Sequence, residues 1–277
     1  MNKNEKTKNL AISFLCKDLQ PETYNFGEKI RTQLGLPVYY VIDSCMIPDF
    51  VTVEALPYMV VISDSTCVEA GFQNCMVTGQ KVNTVLSKNP ISYDKMLFYF
   101  CRRELSIDFL FVFEDDVFIP SVETVANLMG GASDFDLVTP NNFYKDDEVY
   151  DWHWNNVLDK IDPPYYFSMV SAFGLSRNLL NVIDEYVKKN NTLFFTEVMF
   201  NTLAMQNNLS VTDAFELKSV VWQGEWGINE FLLLLDNVFH PKKDLENFEE
   251  YRADILRLKD SRIPIENNLP PFIKELM

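Results

Sequence analysis

Residues 108–118 read Asp-Phe-Leu-Phe-Val-Phe-Glu-Asp-Asp-Val-Phe, an apolar run that ends abruptly in the carboxylates Glu114, Asp115 and Asp116. An uninterrupted apolar stretch over 109–113 suits a strand covered on both faces. Adjacent unpaired charges cannot stay in a core, because each loses its hydration without compensation. The acidic element is therefore expected at the strand's end, within reach of solvent or a cation. In an open α/β sheet that end is where ligands bind. Glu114 and Asp116 stand two residues apart and should point to one side of the chain. Together they offer hard oxygen ligands suited to Mg²⁺ or Mn²⁺ carrying a substrate diphosphate. The competing reading is a solvated acidic turn, and the buried strand before it argues against that reading.

The elements that must position this group follow from pattern. Leu10 to Cys16 reads as a strand, Glu22 to Leu34 as a helix, Pro37 to Ile42 as a strand ending in Asp43, and Tyr58 to Ile62 as a further strand. Pro90-Ile91-Ser92 opens a helix with Met96, Leu97, Phe100 and Cys101 at helical spacing. Phe135 to Thr139 and Tyr166 to Phe173 are further strands. Ser176 caps a helix to Lys189, and Thr196 caps another containing Glu197. The alternation predicts an α/β fold with a mostly parallel sheet flanked by helices. Neither GxGxxG nor GxxxxGK[ST] occurs, which weighs against a dinucleotide-binding dehydrogenase or a P-loop enzyme. Residues 140–164 form a long connection with Trp152, His153 and Trp154 among charges, the composition of an ordered binding loop.

Composition sets outer bounds. The 277-residue chain is 47% hydrophobic and 14% aromatic, which favours a folded globule over disorder. A formal charge of −16 disfavours a nucleic-acid backbone as partner. It leaves room for a nucleotide bridged by a divalent ion. No apolar span is long enough for a membrane helix, and the polar start lacks a secretory signal, so a cytoplasmic protein with reduced cysteines is expected. With only His153 and His240 present, a zinc site rich in His is improbable.

The order of these segments resembles the nucleotide-sugar glycosyltransferases of the GT-A fold. Phe111-Val-Phe-Glu-Asp-Asp-Val-Phe-Ile-Pro120 resembles their "DXD" element and is particularly close to the N-acetylglucosaminyltransferase type, whose element also reads Glu-Asp-Asp. Ser171-Ala-Phe-Gly-Leu-Ser-Arg177 resembles the segment shaping the donor and acceptor cleft. Phe194-Phe-Thr-Glu-Val198 stands where inverting members carry a catalytic carboxylate. Val238-Phe-His-Pro-Lys242 resembles a late metal-binding segment.

The resemblance implies a single GT-A-like Rossmann-type domain over 10–243. Its nucleotide-binding half would be 10–120 and its acceptor-binding half 121–243, with a tail at 1–9 and a helical extension at 244–277. It implies transfer of a sugar from a UDP-sugar to a glycan hydroxyl, with Mn²⁺ or Mg²⁺ as cofactor. Asp116 and His240 would be metal ligands, Glu114 would face the ribose and Asp115 the donor sugar. Lys242 would neutralise the diphosphate, and Asp43, Asp94 and Lys95 would reach the nucleotide. Glu197 would be the general base of an inverting reaction, with Glu225 as its rival. Trp152, His153, Trp154 and Trp226 would contact the acceptor, and Trp222 is a further ring of the same kind.

Golgi members carry an anchor and disulfides, which this chain does not display. In size it resembles soluble glycosyltransferases of large DNA viruses of algae. That likeness implies a capsid N-glycan acceptor and xylose as the sugar. The rival readings are a sugar-nucleotide nucleotidyltransferase and a non-catalytic glycan-binding module.

Overall fold

The computed structural model describes residues 8–44, 46–75, 89–145, 157–222 and 224–258. β1 (Leu10–Cys16) leads through α1 (Pro21–Leu34) to β2 (Val38–Ile42) and the short β3 (Met59–Val60). α2 (Asp64–Glu69) and α3 (Ser92–Arg102) precede β4 (Phe109–Glu114), and α4 (Val122–Ala132) follows it. Next come β5 (Leu137–Thr139), β6 (Phe143–Tyr144), β7 (Tyr166–Phe167) and β8 (Ala172–Ser176). The chain then forms α5 (Arg177–Asn190), α6 (Thr196–Gln206), β9 (Val211–Asp213), α7 (Ile228–Leu233) and α8 (Phe248–Leu258).

The fold is α/β, as the alternation predicts. A seven-stranded sheet runs β3-β2-β1-β4-β8-β5-β9. β8 is antiparallel to both its neighbours, while the β1, β2, β3 and β4 pairings and the β5–β9 pairing are parallel. The strand expected over 166–173 is instead two elements. β7 pairs with β6 in a separate ribbon, and β8 enters the main sheet and runs on to Ser176. Part of the long 140–164 connection is thus strand.

Side-chain alternation divides the core between two faces. Phe109, Phe111 and Phe113 pack with α1 and α4 through Ile30, Val125 and Leu128. Leu110 and Val112 pack on the other face with Phe100 of α3, Ile183 of α5 and Met199 of α6. Glu114 continues that second parity, which points it toward α3 and α6. A third cluster joins Phe118 to Trp226, Phe231, Phe239 and Phe248, so the chain beyond 226 packs onto the segment following β4.

Helix ends follow local rules where the sequence supplies them. Ser176 Oγ accepts the Leu179 N–H at the start of α5. Pro21 opens α1, and Gly35 closes it at φ 68°, the left-handed conformation that glycine adopts without penalty. Thr196 does not cap α6: Phe195 holds the N-cap position and Thr196 lies inside the helix. Cys16, Cys67, Cys75 and Cys101 are buried free thiols. Among the described residues no helix is long and apolar enough to cross a membrane.

Candidate metal centre

β1 continues to β2 on one side of the sheet, while the chain returns to β4 on the other. The strand order therefore reverses between β1 and β4, and the carboxyl ends of these strands flank a crevice. The Asp115 N–H donates to Leu15 O at 3.0 Å, joining the two strand exits. The Asp115 carboxylate accepts the Lys17 N–H, and burial pushes its pKa up to about 6. It ties the backbone at the lip of the crevice.

His240 arrives at the same crevice by backbone pairing. Phe118 and Phe239 exchange N–H···O bonds of 2.8 and 2.9 Å, and the Lys242 N–H donates to Asp116 O at 2.9 Å. The turn after β4 is thereby zipped to residues 239–242. His240 Nδ1 lies 2.9 Å from Val221 O. A carbonyl can only accept, so this contact assigns a proton to Nδ1, and in the neutral ring the Nε2 lone pair then faces the carboxylates.

Nε2 lies 3.5 Å from Asp116 Oδ1 and 3.6 Å from Glu114 Oε2. One ligand atom from each of Glu114, Asp116 and His240 falls within 4.8 Å of the others, which makes a candidate cation site. Two atoms each about 2.1 Å from one ion are about 3 Å apart at a right angle and about 4.2 Å apart across it. The two distances from His240 Nε2, 3.5 and 3.6 Å, fall between these limits. Two carboxylates and a neutral imidazole suit a borderline-hard ion such as Mn²⁺. The donor set thus fits the metal that the sequence implied, and it brings Glu114 in beside the two expected ligands as a third candidate.

The electrostatics are those of a site short of positive charge. Burial and the Asp116 charge raise the pKa of Glu114, while Ser171 and Tyr93 beside it oppose the rise; the Tyr93 hydroxyl donates to Val170 O at 2.8 Å. Burial alone would raise Asp116, but His240 and Lys243 hold it below the ordinary carboxylate value. Burial opposes charge on His240, yet Asp116 and Glu114 outweigh it and raise its pKa.

Glu197 stands beside this group, in the first turn of α6. Burial pushes its pKa up to about 7; the Trp222 hydrogen bond and His240 lower it, and the Glu114 charge adds to the rise. The Trp222 indole N–H reaches both its oxygens at 3.3 and 3.4 Å. Glu225 is exposed and does not join the cluster.

Several sequence expectations need correction. Lys242 turns away, donating to Asp244 and to Tyr251 OH at 3.3 Å. Its neighbour Lys243 ion-pairs with Asp116. Successive side chains in extended backbone point to opposite sides, so only one of two adjacent lysines can face the acid. Asp94 is a structural cap: its carboxylate accepts the Ile91 and Cys75 N–H groups at 2.9 and 3.1 Å, and it is buried. Lys95 is also buried, donating to Asp43 O at 2.7 Å and pairing with Asp64 at 3.0 Å. It holds the end of β2 and does not reach into the crevice. Asp43 remains partly open, its pKa pushed up to about 6 chiefly by burial. Its Oδ1 has no hydrogen-bond partner among the described residues.

Trp226 is buried, packs on Phe239 and donates to His240 O at 3.0 Å, so its ring is closed to an acceptor. Trp222, by contrast, is 44% exposed. Trp152, His153 and Trp154 lie outside the described residues.

Tyr93, Ser171 and Lys243 contact the acidic group without having been singled out. Ser171 and Lys243 lie within or next to recognised segments, whereas Tyr93 carries no local signal. No family model matches this chain, and no curated protein matches it.

Proposed function

We propose that this protein is a divalent-cation-dependent glycosyltransferase that moves a sugar from a UDP-sugar to a glycan hydroxyl with inversion. One observation carries the reading. A buried carboxylate with its pKa pushed up to about 7, Glu197, stands beside the Glu114–Asp116–His240 group at the sheet's switch point. A general base is most effective when its pKa lies near the working pH.

In this reading Glu114, Asp116 and His240 hold the cation. When bound, Mn²⁺ or Mg²⁺ supplies Lewis-acid stabilisation of the departing diphosphate. Lys243 adds positive charge at the same edge. Glu197 accepts the acceptor hydroxyl's proton as that oxygen attacks the anomeric carbon. Trp222 orients the carboxylate through its N–H and keeps its pKa from rising further. Val221 fixes the His240 tautomer, and Asp43 at the β2 exit offers an unpaired acceptor for the donor's base. A purely glycan-binding role would leave Glu197's position beside the acidic cluster without a purpose. Xylose as the sugar and a capsid N-glycan as acceptor rest on the viral resemblance alone.

The test is nucleotide release from UDP-, GDP- and CMP-sugars, with Mn²⁺ and with chelator. Mn²⁺-dependent UDP release from one UDP-sugar is expected. Cleavage of none, or cleavage indifferent to chelation, would overturn the proposal.

A further inference from the structure

Behind the metal centre lies a separate cavity of about 370 Å³, lined by Asn141, Asn142, Phe143, Lys218, Val220 and Val221 among others. Its size falls in the range of small-molecule sites. It adjoins the acidic group through one residue, because Val221, whose carbonyl fixes His240 Nδ1, is also part of its wall. It is tied to Glu197 as well. Asn201 lies one turn further along α6, on the same helix face, and its Nδ2 donates to Asn142 Oδ1 at 2.9 Å.

The lining has the chemistry of sugar recognition. Phe143 is 47% exposed and presents an aromatic surface, which packs on the apolar face of a pyranose. The polar groups are mainly side-chain amides, which both donate to and accept from hydroxyls. Two amide acceptors just beneath the surface of the wall, Asn141 Oδ1 and Asn201 Oδ1, are buried with no hydrogen-bond partner among the described residues. Native structures leave few such atoms unmet, and those that remain call for an explanation such as a bound group. Charge is cancelled locally: Lys218 pairs with Asp213, which also lines the cavity, and donates to Pro140 O at 3.1 Å. Among the described lining residues no cation is left over for an acidic sugar, and a chain of net charge −16 repels one.

We infer that this cavity is the acceptor subsite and takes an uncharged pyranose unit of the acceptor glycan, with Phe143 as its stacking platform and Asn141 and Asn142 as its hydrogen-bonding groups. This deepens the transferase reading and rests on it for the word acceptor.

The test uses the full chain with UDP and Mn²⁺ on an array of neutral, sialylated and sulfated oligosaccharides, with Phe143→Ala and Asn142→Ala beside the wild type. Neutral glycans should be captured in preference to acidic ones, and each variant should weaken capture about tenfold or more. Asn142 is exposed, so its variant keeps the test decisive if Phe143→Ala loosens the ribbon, which melting temperatures will reveal. No capture of neutral glycans, equal capture by both variants, or a preference for acidic glycans would overturn the inference. A parallel thermal-shift measurement on the wild type with UDP and Mn²⁺ separates the two readings. Neutral-glycan capture through these residues without any Mn²⁺–UDP stabilisation would keep the sugar subsite and remove the transferase.

Discussion

His240 Nε2 stands 3.5 Å from Asp116 Oδ1 because the backbone on either side of both residues is paired: Phe118 with Phe239, and Lys242 with Asp116. The imidazole is aimed by the Val221 carbonyl on its other nitrogen, so the donor set is preorganised before any ion arrives. Replacing His240 with Ala should weaken Mn²⁺ binding roughly 10–100-fold or more, the scale set by losing even a supporting partner of a ligand. Calorimetric titration of Mn²⁺ measures this, and an unchanged affinity would remove His240 from the ligand set.

Glu197→Gln keeps the shape of the side chain and loses its ability to accept a proton. Turnover should fall roughly 10²–10⁴-fold, with the UDP-sugar dissociation constant nearly unchanged. Single-turnover kinetics separate the two quantities. An unaltered chemical step would move the base elsewhere.

The base works deprotonated, so wild-type kcat should fall as pH drops below about 7, or below a somewhat lower value where the cation further stabilises the carboxylate. The Trp222 hydrogen bond lowers the Glu197 pKa, so Trp222→Phe should move that acidic limb to higher pH. A limb that does not move, or that survives in Glu197→Gln, would assign it to another group.

Lys243 and Lys242 can be told apart. Lys243→Met removes the partner of Asp116 and should raise the KM for the donor severalfold. Lys242→Met breaks the contacts to Asp244 and Tyr251 and should cost about 1 kcal/mol of stability, with donor KM within about twofold of wild type. The reverse pattern, read from kinetics and melting curves, would restore Lys242 as the diphosphate lysine.

In metal-free buffer the cluster should destabilise the fold as pH rises. Asp43 and Asp115 reach about 6 and Glu197 about 7 in the folded protein, all above their unfolded values, so the folded chain holds more protons between about pH 4 and 7. Stability then falls with rising pH across that window, and the raised His240 acts in the same direction as pH passes through its folded pKa. Melting temperature should drop from pH 5 to pH 8 without metal, and Mn²⁺ should restore more of it at pH 8. A rise over the same interval would contradict these assignments.

The main lines of this arrangement were readable in the chain. β1, α1 and β4 follow from periodicity, and an apolar strand ending in Glu114, Asp115 and Asp116 could emerge only at a sheet end. What was not readable depends on pairing distant in sequence. Whether Lys242 or Lys243 faces the acid is decided by the Lys242 N–H bonding Asp116 O. The burial of Trp226 depends on the third core cluster, which the folded-back chain beyond 226 creates. Asp94 reads as a candidate ligand contact until Cys75 is found beside it, drawing its carboxylate into the backbone. β8 carries an ordinary strand pattern, and its antiparallel direction is set by its neighbours β4 and β5.

The most direct measurement is electron paramagnetic resonance of Mn²⁺ titrated into the metal-free chain, with and without UDP, for wild type and Asp116→Asn. The amide keeps the size of the largely buried side chain, so loss of binding can be assigned to the lost charge. The expected result is one bound ion per chain, held more tightly with UDP, and lost or weakened at least tenfold in the variant. Absence of a saturable Mn²⁺ site in the presence of UDP, or an identical titration in Asp116→Asn, would contradict the metal centre and the transferase built on it.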